Sequence, residues 1–418
     1  MKNSGRIIAA ILCAILMLSI FTACKSDPAG TSGGDVGQPE AKKYVIGVAE
    51  AQANDDVTAR REFYENYIGP AYNVEFIFSE QCADDTATKA FIENCIDMGA
   101  DAIIDFKSCN TTMAQLCEQN GLAYVINSVP RASNFDLYEG SSSAFAGGVA
   151  GNNKMTGSYV ADWVKENSSE DGSEGFLIAS CVASSGVVEH IQITTQVLEA
   201  LQAKYGLTYT QEIADMVASP DPVIVENDKG LNIYVYPGSP NKDTWLTGVS
   251  PLLQSGDYGV FVSCGETYDK SANVIDEVEH AKNIDIKVVS LGALSSAPVA
   301  FSTTDAFGNT SVDMIVVSCS TIQSATLFAV TYNARTNGTA CMYVDGLPTS
   351  RTCNKLPVTN YEDAMTLDGY DNIETEKWIA NTDFIDQLLM CKTEGLTVEG
   401  MKDLLSGIDF EAIKDIIG

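Results

Sequence analysis

From Tyr44 onward the chain alternates short apolar, β-rich runs with amphipathic helical segments, a strand recurring roughly every 20 to 30 residues. Tyr44–Ala49 reads as a strand, Thr58–Ile68 as a helix carrying Phe63, Tyr64 and Tyr67, and Val74–Phe78 as the next strand. Asp85–Met98 reads as a helix with Ala90, Ile92 and Ile96 toward one side; Ala102–Phe106, Thr111–Gln119 and Ala123–Asn127 then read as strand, helix and strand. Such an alternation requires right-handed crossovers and a parallel sheet. It makes one complete α/β lobe.

A second series follows the Gly/Ser-rich stretch Gly140–Gly151. Met155–Glu166 is expected as a helix, Gly175–Ser180 as a strand, Val187–Lys204 as a long helix and Asn232–Tyr236 as a strand. Thr244–Gln254, Gly259–Cys264, Lys270–Glu279 and Lys287–Leu291 continue the alternation, and Asp313–Val317 with Ile322–Thr336 adds one more strand and helix. Past Gly338 the pattern weakens, and Tyr370–Gly418 reads as short terminal helices around Trp378, Phe384 and Leu388. The expected fold class is therefore α/β, in two successive series.

The length of 418 residues supports two lobes, and 45% hydrophobic with 19% charged residues is a globular balance. The net charge of −31 becomes −33 once residues 1–23, which carry Lys2, Arg6 and no acid, are removed. A surface of that sign repels phosphate backbones, so nucleic acid is excluded as a partner.

Lys2 and Arg6 form a basic start, and Ile7 to Ile20 is an apolar run too short to span a membrane. Phe21-Thr22-Ala23-Cys24 resembles the bacterial lipobox, with Phe21 where the pattern prefers Leu. The resemblance implies a signal peptide at 1–23, acylation of Cys24 and attachment to the extracytoplasmic face of the cell membrane. Residues 24–42, rich in Ser, Gly, Asp and Pro, then read as a flexible tether.

Ten cysteines remain after Cys13 and Cys24, none in a Cys-x-x-Cys pair, and only His190 and His280 are available to complete a metal site. No metal and no cofactor is expected. The thiols are either partly disulfide-bonded or those of a protein from oxygen-free surroundings. A Gly-x-Ser-x-Gly elbow, a phosphate loop, a His-Glu-x-x-His helix and a Gly-x-Gly-x-x-Gly turn are all missing, which argues against an enzyme.

Four segments resemble the type I periplasmic binding proteins, the solute receptors of ABC importers, in the branch that also resembles the ligand domains of sugar-responsive repressors. They are the opening strand Tyr44–Glu50, Gly99-Ala100-Asp101-Ala102-Ile103-Ile104, Gly121 to Ser128, and Asn152-Asn153-Lys154-Met155-Thr156-Gly157 with Val160-Ala161. The resemblance covers residues 43–340 in order and spacing. It implies two Rossmann-like lobes with parallel sheets, joined by a multi-strand hinge of three crossovers. Residues 43–148 with about 305–340 would form the N-terminal lobe, 149–304 the C-terminal lobe, and 341–418 an extension returning over both. It further implies a small polar solute held between the lobes (a sugar by default), an ABC permease as partner and a monomer. A sensory lipoprotein serving a signalling receptor, a nucleoside- or amino-acid-type binder, and a surface protein without a ligand remain open.

In open parallel sheets ligands collect at the carboxyl ends of the strands. The candidate contacts in the first lobe are Gln52, Asn54 and Asp56 after the first strand, Phe106, Lys107 and Ser108 after the third, and Asn127 and Arg131 after the fourth. Asp56 is equally placed to cap a helix, and Phe106 to join the core. In the second lobe they are Ser184 and Ser185 in a small-residue loop, Glu189 and His190 one turn into the next helix, and Glu266 and Tyr268. A lone histidine such as His190 is more often a satisfied surface or boundary residue than a ligand contact. Sugar-binding members usually carry an Arg on the helix that holds Glu189, an Asn-Asp pair where this chain has Cys264-Gly265, and an Asp where it has Gly292.

Overall fold

The computed structural model describes residues 43–417 apart from 54, 182, 241, 243 and 372–377. The expected signal peptide, tether and acylated Cys24 lie outside the described residues. Two sheets organise the rest. The first contains β1 (Tyr44–Ala49), β2 (Val74–Phe78), β3 (Ala102–Asp105), β4 (Ala123–Ile126), β5 (Phe145–Gly151) and β14 (Ser350–Cys353), in the order β2-β1-β3-β4-β5-β14. Every pair in it is parallel.

The second contains β6 (Phe176–Ala179), β7 (Val223–Ile224), β8 (Ile233–Tyr236), β9 (Val260–Glu266), β10 (Lys287–Gly292), β11 (Met314–Val317) and β15 (Leu356–Val358). Its order is β7-β8-β6-β9-β10-β11-β15, antiparallel only at the β7–β8 and β11–β15 edges. A small hairpin, β12 (Tyr343–Val344) with β13 (Leu347–Pro348), stands apart. With the antiparallel edge strand β7 set aside, the strand that comes first in the chain sits between the second and the third in both large sheets, the doubly wound 2-1-3-4-5 order. The two series seen in the sequence are therefore two copies of one topology.

β3 and β4 are buried along their whole length, as parallel strands covered on both faces must be, which is why they read as unbroken apolar runs. The expected helices fall within a few residues of where the periodicity put them. The first runs Asp55–Glu62 and continues through a wide turn at Phe63–Ile68 to Gly69–Tyr72. Side-chain caps explain several starts: Asp84, Asn110 and Asn152 each accept an N–H of the first helical turn.

β5 occupies the Gly/Ser-rich stretch that the sequence presents as a boundary. Its glycines fit close neighbours rather than a loop. A Cβ on Gly148 would lie 2.0 Å from the Ser128 carbonyl oxygen, and Gly147 has φ +120 with the Arg351 guanidinium against it.

The chain passes between the sheets three times: from β5 into the Asn153–Asn167 helix before β6, from β11 into the Ser320–Asn337 helix, and from β14 to β15. Two expected boundaries are corrected here. Met314–Val317 pairs in parallel with β10, so the 305–340 segment is divided: its strand is in the second sheet, and only its helix packs against the first. The 341–418 segment is more than a cover, because β14 and β15 add one strand to each sheet.

The Ser320–Asn337 helix is buried on nearly every side, which accounts for its lack of amphipathic contrast. Phe63, Phe76 and Phe328 share its core with Trp378, Phe384 and Leu388 of the terminal segment. Asn333 of that helix donates to Leu388 O (2.8 Å) and accepts from Met390 N–H (2.8 Å). All ten described cysteines are free thiols in the structure, eight of them buried.

Candidate binding site

The order reversal in each sheet leaves a crevice at the carboxyl ends of neighbouring strands, between β1 and β3 in one and between β6 and β9 in the other. The loops leaving these four strands carry most of the candidate contacts.

At the tip of β1, Glu50 is 1% exposed and takes Arg60 in a two-point ion pair, Nε to Oε1 at 3.1 Å and Nη2 to Oε2 at 2.6 Å. The Arg60 guanidinium lies 4.0 Å over the Phe106 ring. One face of Phe106 is thereby covered, and the half-buried ring joins the β1 and β3 loops. Neither Glu50 nor Arg60 was a candidate contact. The Arg-Arg pair at 60–61, placed on the helix after the first strand, was the signal available.

At the tip of β3 the buried carboxylate of Asp105 accepts the N–H groups of Lys107 (2.7 Å), Ser108 (2.9 Å) and Cys109 (3.1 Å) and the Tyr124 hydroxyl (2.6 Å). Burial raises its pKa, and the four donors act in the opposite direction. Lys107 and Ser108 thus sit on a loop wound around an acceptor, with Cys109 held at φ 49. At the tip of β4, Asn127 Oδ1 accepts from Gln323 Nε2 at 2.6 Å, while Arg131 is exposed. Gln52 is exposed beside a groove of about 470 Å³ shared with Arg61, Glu62 and Glu65. Asn54 and the side chains of Asp56 and Ser184 lie outside the described residues.

In the second sheet His190 is buried, and its Nδ1 accepts the Cys181 N–H at 3.0 Å. Burial lowers its pKa to about 4, so the ring is neutral and braces the small-residue loop after β6. Ser185 is exposed on that loop. Glu189, the residue before, pairs with Lys355 on the third crossing. Glu266 is exposed at the end of β9, whereas the Tyr268 ring lies in the core, its hydroxyl toward Thr303 and Ser311.

Sterics explain the unusual residues at two positions. A Cβ on Gly265 would meet Pro240 at 3.0 Å and the His190 ring at 3.2 Å, and one on Gly292 would meet Ile315 at 2.6 Å. His190 and Ile315 fill the space that an Asn-Asp pair or an Asp would need. Gln323 and Lys355 are not among the candidates, because the sequence reading assigns 305–340 whole to the N-terminal lobe and 341–418 to a covering extension, whereas they stand just past strands of the second sheet and the first.

No protein-family profile and no curated protein sequence matches the chain. Solved structures do. A periplasmic ribose ABC transporter protein from Conexibacter woesei superposes with a TM-score of 0.55 at 13% identity, over 79% of this chain and 97% of its own. An ABC transporter solute-binding protein from Burkholderia graminis, in complex with D-arabinose, gives 0.54 at 15% identity over 79% and 99%. One from Actinobacillus succinogenes with bound D-allose gives 0.53 at 15% identity over 78% and 100%. The chain has the two-sheet α/β fold of the type I periplasmic solute-binding proteins.

Proposed function

We propose that the protein is an extracytoplasmic solute-binding lipoprotein. It captures a small polar molecule between the carboxyl ends of its two sheets and delivers it to an ABC permease. The observation that carries this reading is the doubled 2-1-3-4-5 topology linked by three crossings, since a ligand touching both switch points stabilises a closed form selectively. The similar structures with bound D-arabinose and D-allose support a sugar-like solute.

Gln52, Asn54, Asp56, Phe106, Lys107, Ser108, Asn127 and Arg131 are proposed for one wall, with Ser184, Ser185, Glu189, His190 and Glu266 for the other. Tyr268 is proposed to shape its loop from the core. Two features favour binding over catalysis: the Nδ1 of His190 is occupied by a backbone N–H, and His280 is exposed on a helix beside Asp276. Cys24 is the proposed lipid anchor, and the working form is a monomer with no cofactor.

Gly265 and Gly292 present no polar side chain to a sugar, so a nucleoside- or amino-acid-type ligand is the alternative to a sugar-like one. A thermal-shift screen of the chain against sugars, nucleosides and amino acids tests the reading. A true ligand at about 100 times its Kd adds about 2.7 kcal/mol of stability, and a broad library without a single shift would count decisively against solute binding.

A further inference from the structure

The amino ends of β10 and β11 lie at the opposite edge of the second sheet from its switch point. Here the Tyr268–Lys282 helix ends at Asn283, with Glu279 in its last turn, Asp285 just before β10 and Asp313 just before β11. The intervening loop folds around Asp305, whose Oδ1 accepts the N–H groups of Phe307 and Asn309, both at 2.8 Å. One carboxylate oxygen from each of Glu279, Asp285 and Asp305 lies within 4.8 Å of the others.

Glu279 is 1% exposed. Its Oε1 accepts the Ile286 N–H at 3.0 Å, but its buried Oε2 has no hydrogen-bond partner among the described residues. The Ala306 N–H is near this carboxylate without meeting Oε2 in hydrogen-bonding geometry. Burying a carboxylate oxygen unpaired beside two further acids is costly unless a cation joins them. Lys287 is the nearby positive charge, and its Nζ is committed to the Asn167 carbonyl at 2.6 Å. Asp313 adds a fourth acid and gives one oxygen to the Val288 N–H.

We propose that Glu279, Asp285 and Asp305 form a binding site for a calcium-class divalent cation that clamps the base of the second sheet. Three carboxylate oxygens within 4.8 Å of one another are close enough to share one calcium ion, whose oxygen ligands stand about 2.3–2.6 Å away. Magnesium, which demands a tighter octahedron near about 2.1 Å and keeps several waters, suits a set of three carboxylates less well. Burial above all, together with the neighbouring Asp305 charge, pushes the Glu279 carboxyl up to about 7. The clamp joins the end of a helix, the entry of β10 and the loop that leads to β11, and does not rest on the solute reading.

The test is calorimetry and thermal melting of the full chain stripped with chelator and titrated with calcium chloride, magnesium chloride, or potassium chloride at matched ionic strength. The expected result is calcium binding with about one-to-one saturation, a calcium-specific rise in Tm, and weaker magnesium binding. Glu279→Gln should weaken calcium binding at least about tenfold while melting, without calcium, no lower than the wild type. Asp285→Asn, at an exposed position, provides a second variant with the same expected loss should Glu279→Gln fail to fold. The site is overturned if wild type shows no calcium-specific shift, if magnesium binds as tightly as calcium, or if either folded variant binds calcium as wild type does.

Discussion

Lys355 Nζ lies 2.9 Å from Glu189 Oε1 and 3.0 Å from its Oε2, pinning the third crossing between the sheets to the first turn of the Val188–Tyr205 helix. Both side chains are more than four-fifths buried, so solvent screens this pair less than a surface one. Glu189→Gln should therefore destabilise the protein by roughly 1–3 kcal/mol in urea unfolding. In a double-mutant cycle with Lys355→Met, the paired loss should fall short of the sum of the single losses. Strict additivity would show that the pair contributes nothing.

His190 sets a pH dependence. Its folded pKa, lowered to about 4 by burial, lies below the ordinary 6.5, so the unfolded chain takes up a proton between these values while the folded protein does not. Stability assigned to this group is full above pH 6.5 and falls as pH drops toward 4, by up to roughly 3 kcal/mol. Buried acids such as Asp371 and Asp313, with pKa raised by burial to about 6, respond in the opposite sense, so the comparison must be a difference. The stability gap between wild type and His190→Asn, measured by denaturant unfolding, should shrink steadily from pH 7 to pH 4.5. A gap constant over that range would mean that His190 is not held neutral.

Gly148 tests the reading of β5. Gly148→Ala places a methyl group 2.0 Å from a backbone oxygen and 2.1 Å from the Tyr138 hydroxyl oxygen, and the backbone cannot yield cheaply. A loss of about 3 kcal/mol or more in urea unfolding is expected. Gly99→Ala, with open space around its Cβ, should show only the smaller cost of a positive φ.

Asp105→Asn keeps the shape of a side chain that accepts four donors but turns one acceptor oxygen into a donor facing N–H groups. It should cost about 2–4 kcal/mol and loosen the Lys107–Cys109 loop, seen as faster amide exchange there. Unchanged exchange in that loop would remove Asp105 from its organising role.

Much of this architecture is legible in the residues because fully buried parallel strands such as β3 and β4 must be apolar throughout, and the helices between them carry a single packing face. The failures are equally physical. β5 hides behind glycines selected by the closeness of Ser128 and Tyr138, and β14 and β15 are too short to show a period. Met314–Val317 looks the same in either sheet, because a strand's composition reports its burial and not its partner. At the candidate site, Gln52 and Arg131 read as polar loop residues and are exposed, but nothing local distinguishes the inward-packed Tyr268 ring from an outward one. The Glu50–Arg60–Phe106 unit depends on a contact between separate loops, which spacing alone does not encode.

Amide hydrogen exchange by mass spectrometry, with and without a solute found by the thermal screen, addresses the two-walled binding site most directly. Protection should rise together in the loops after β1 and β3, around residues 50–58 and 106–109, and in those after β6 and β9, around residues 180–190 and 264–268. Protection confined to the loops of one sheet, or absent from all four, would contradict a ligand held between two switch points.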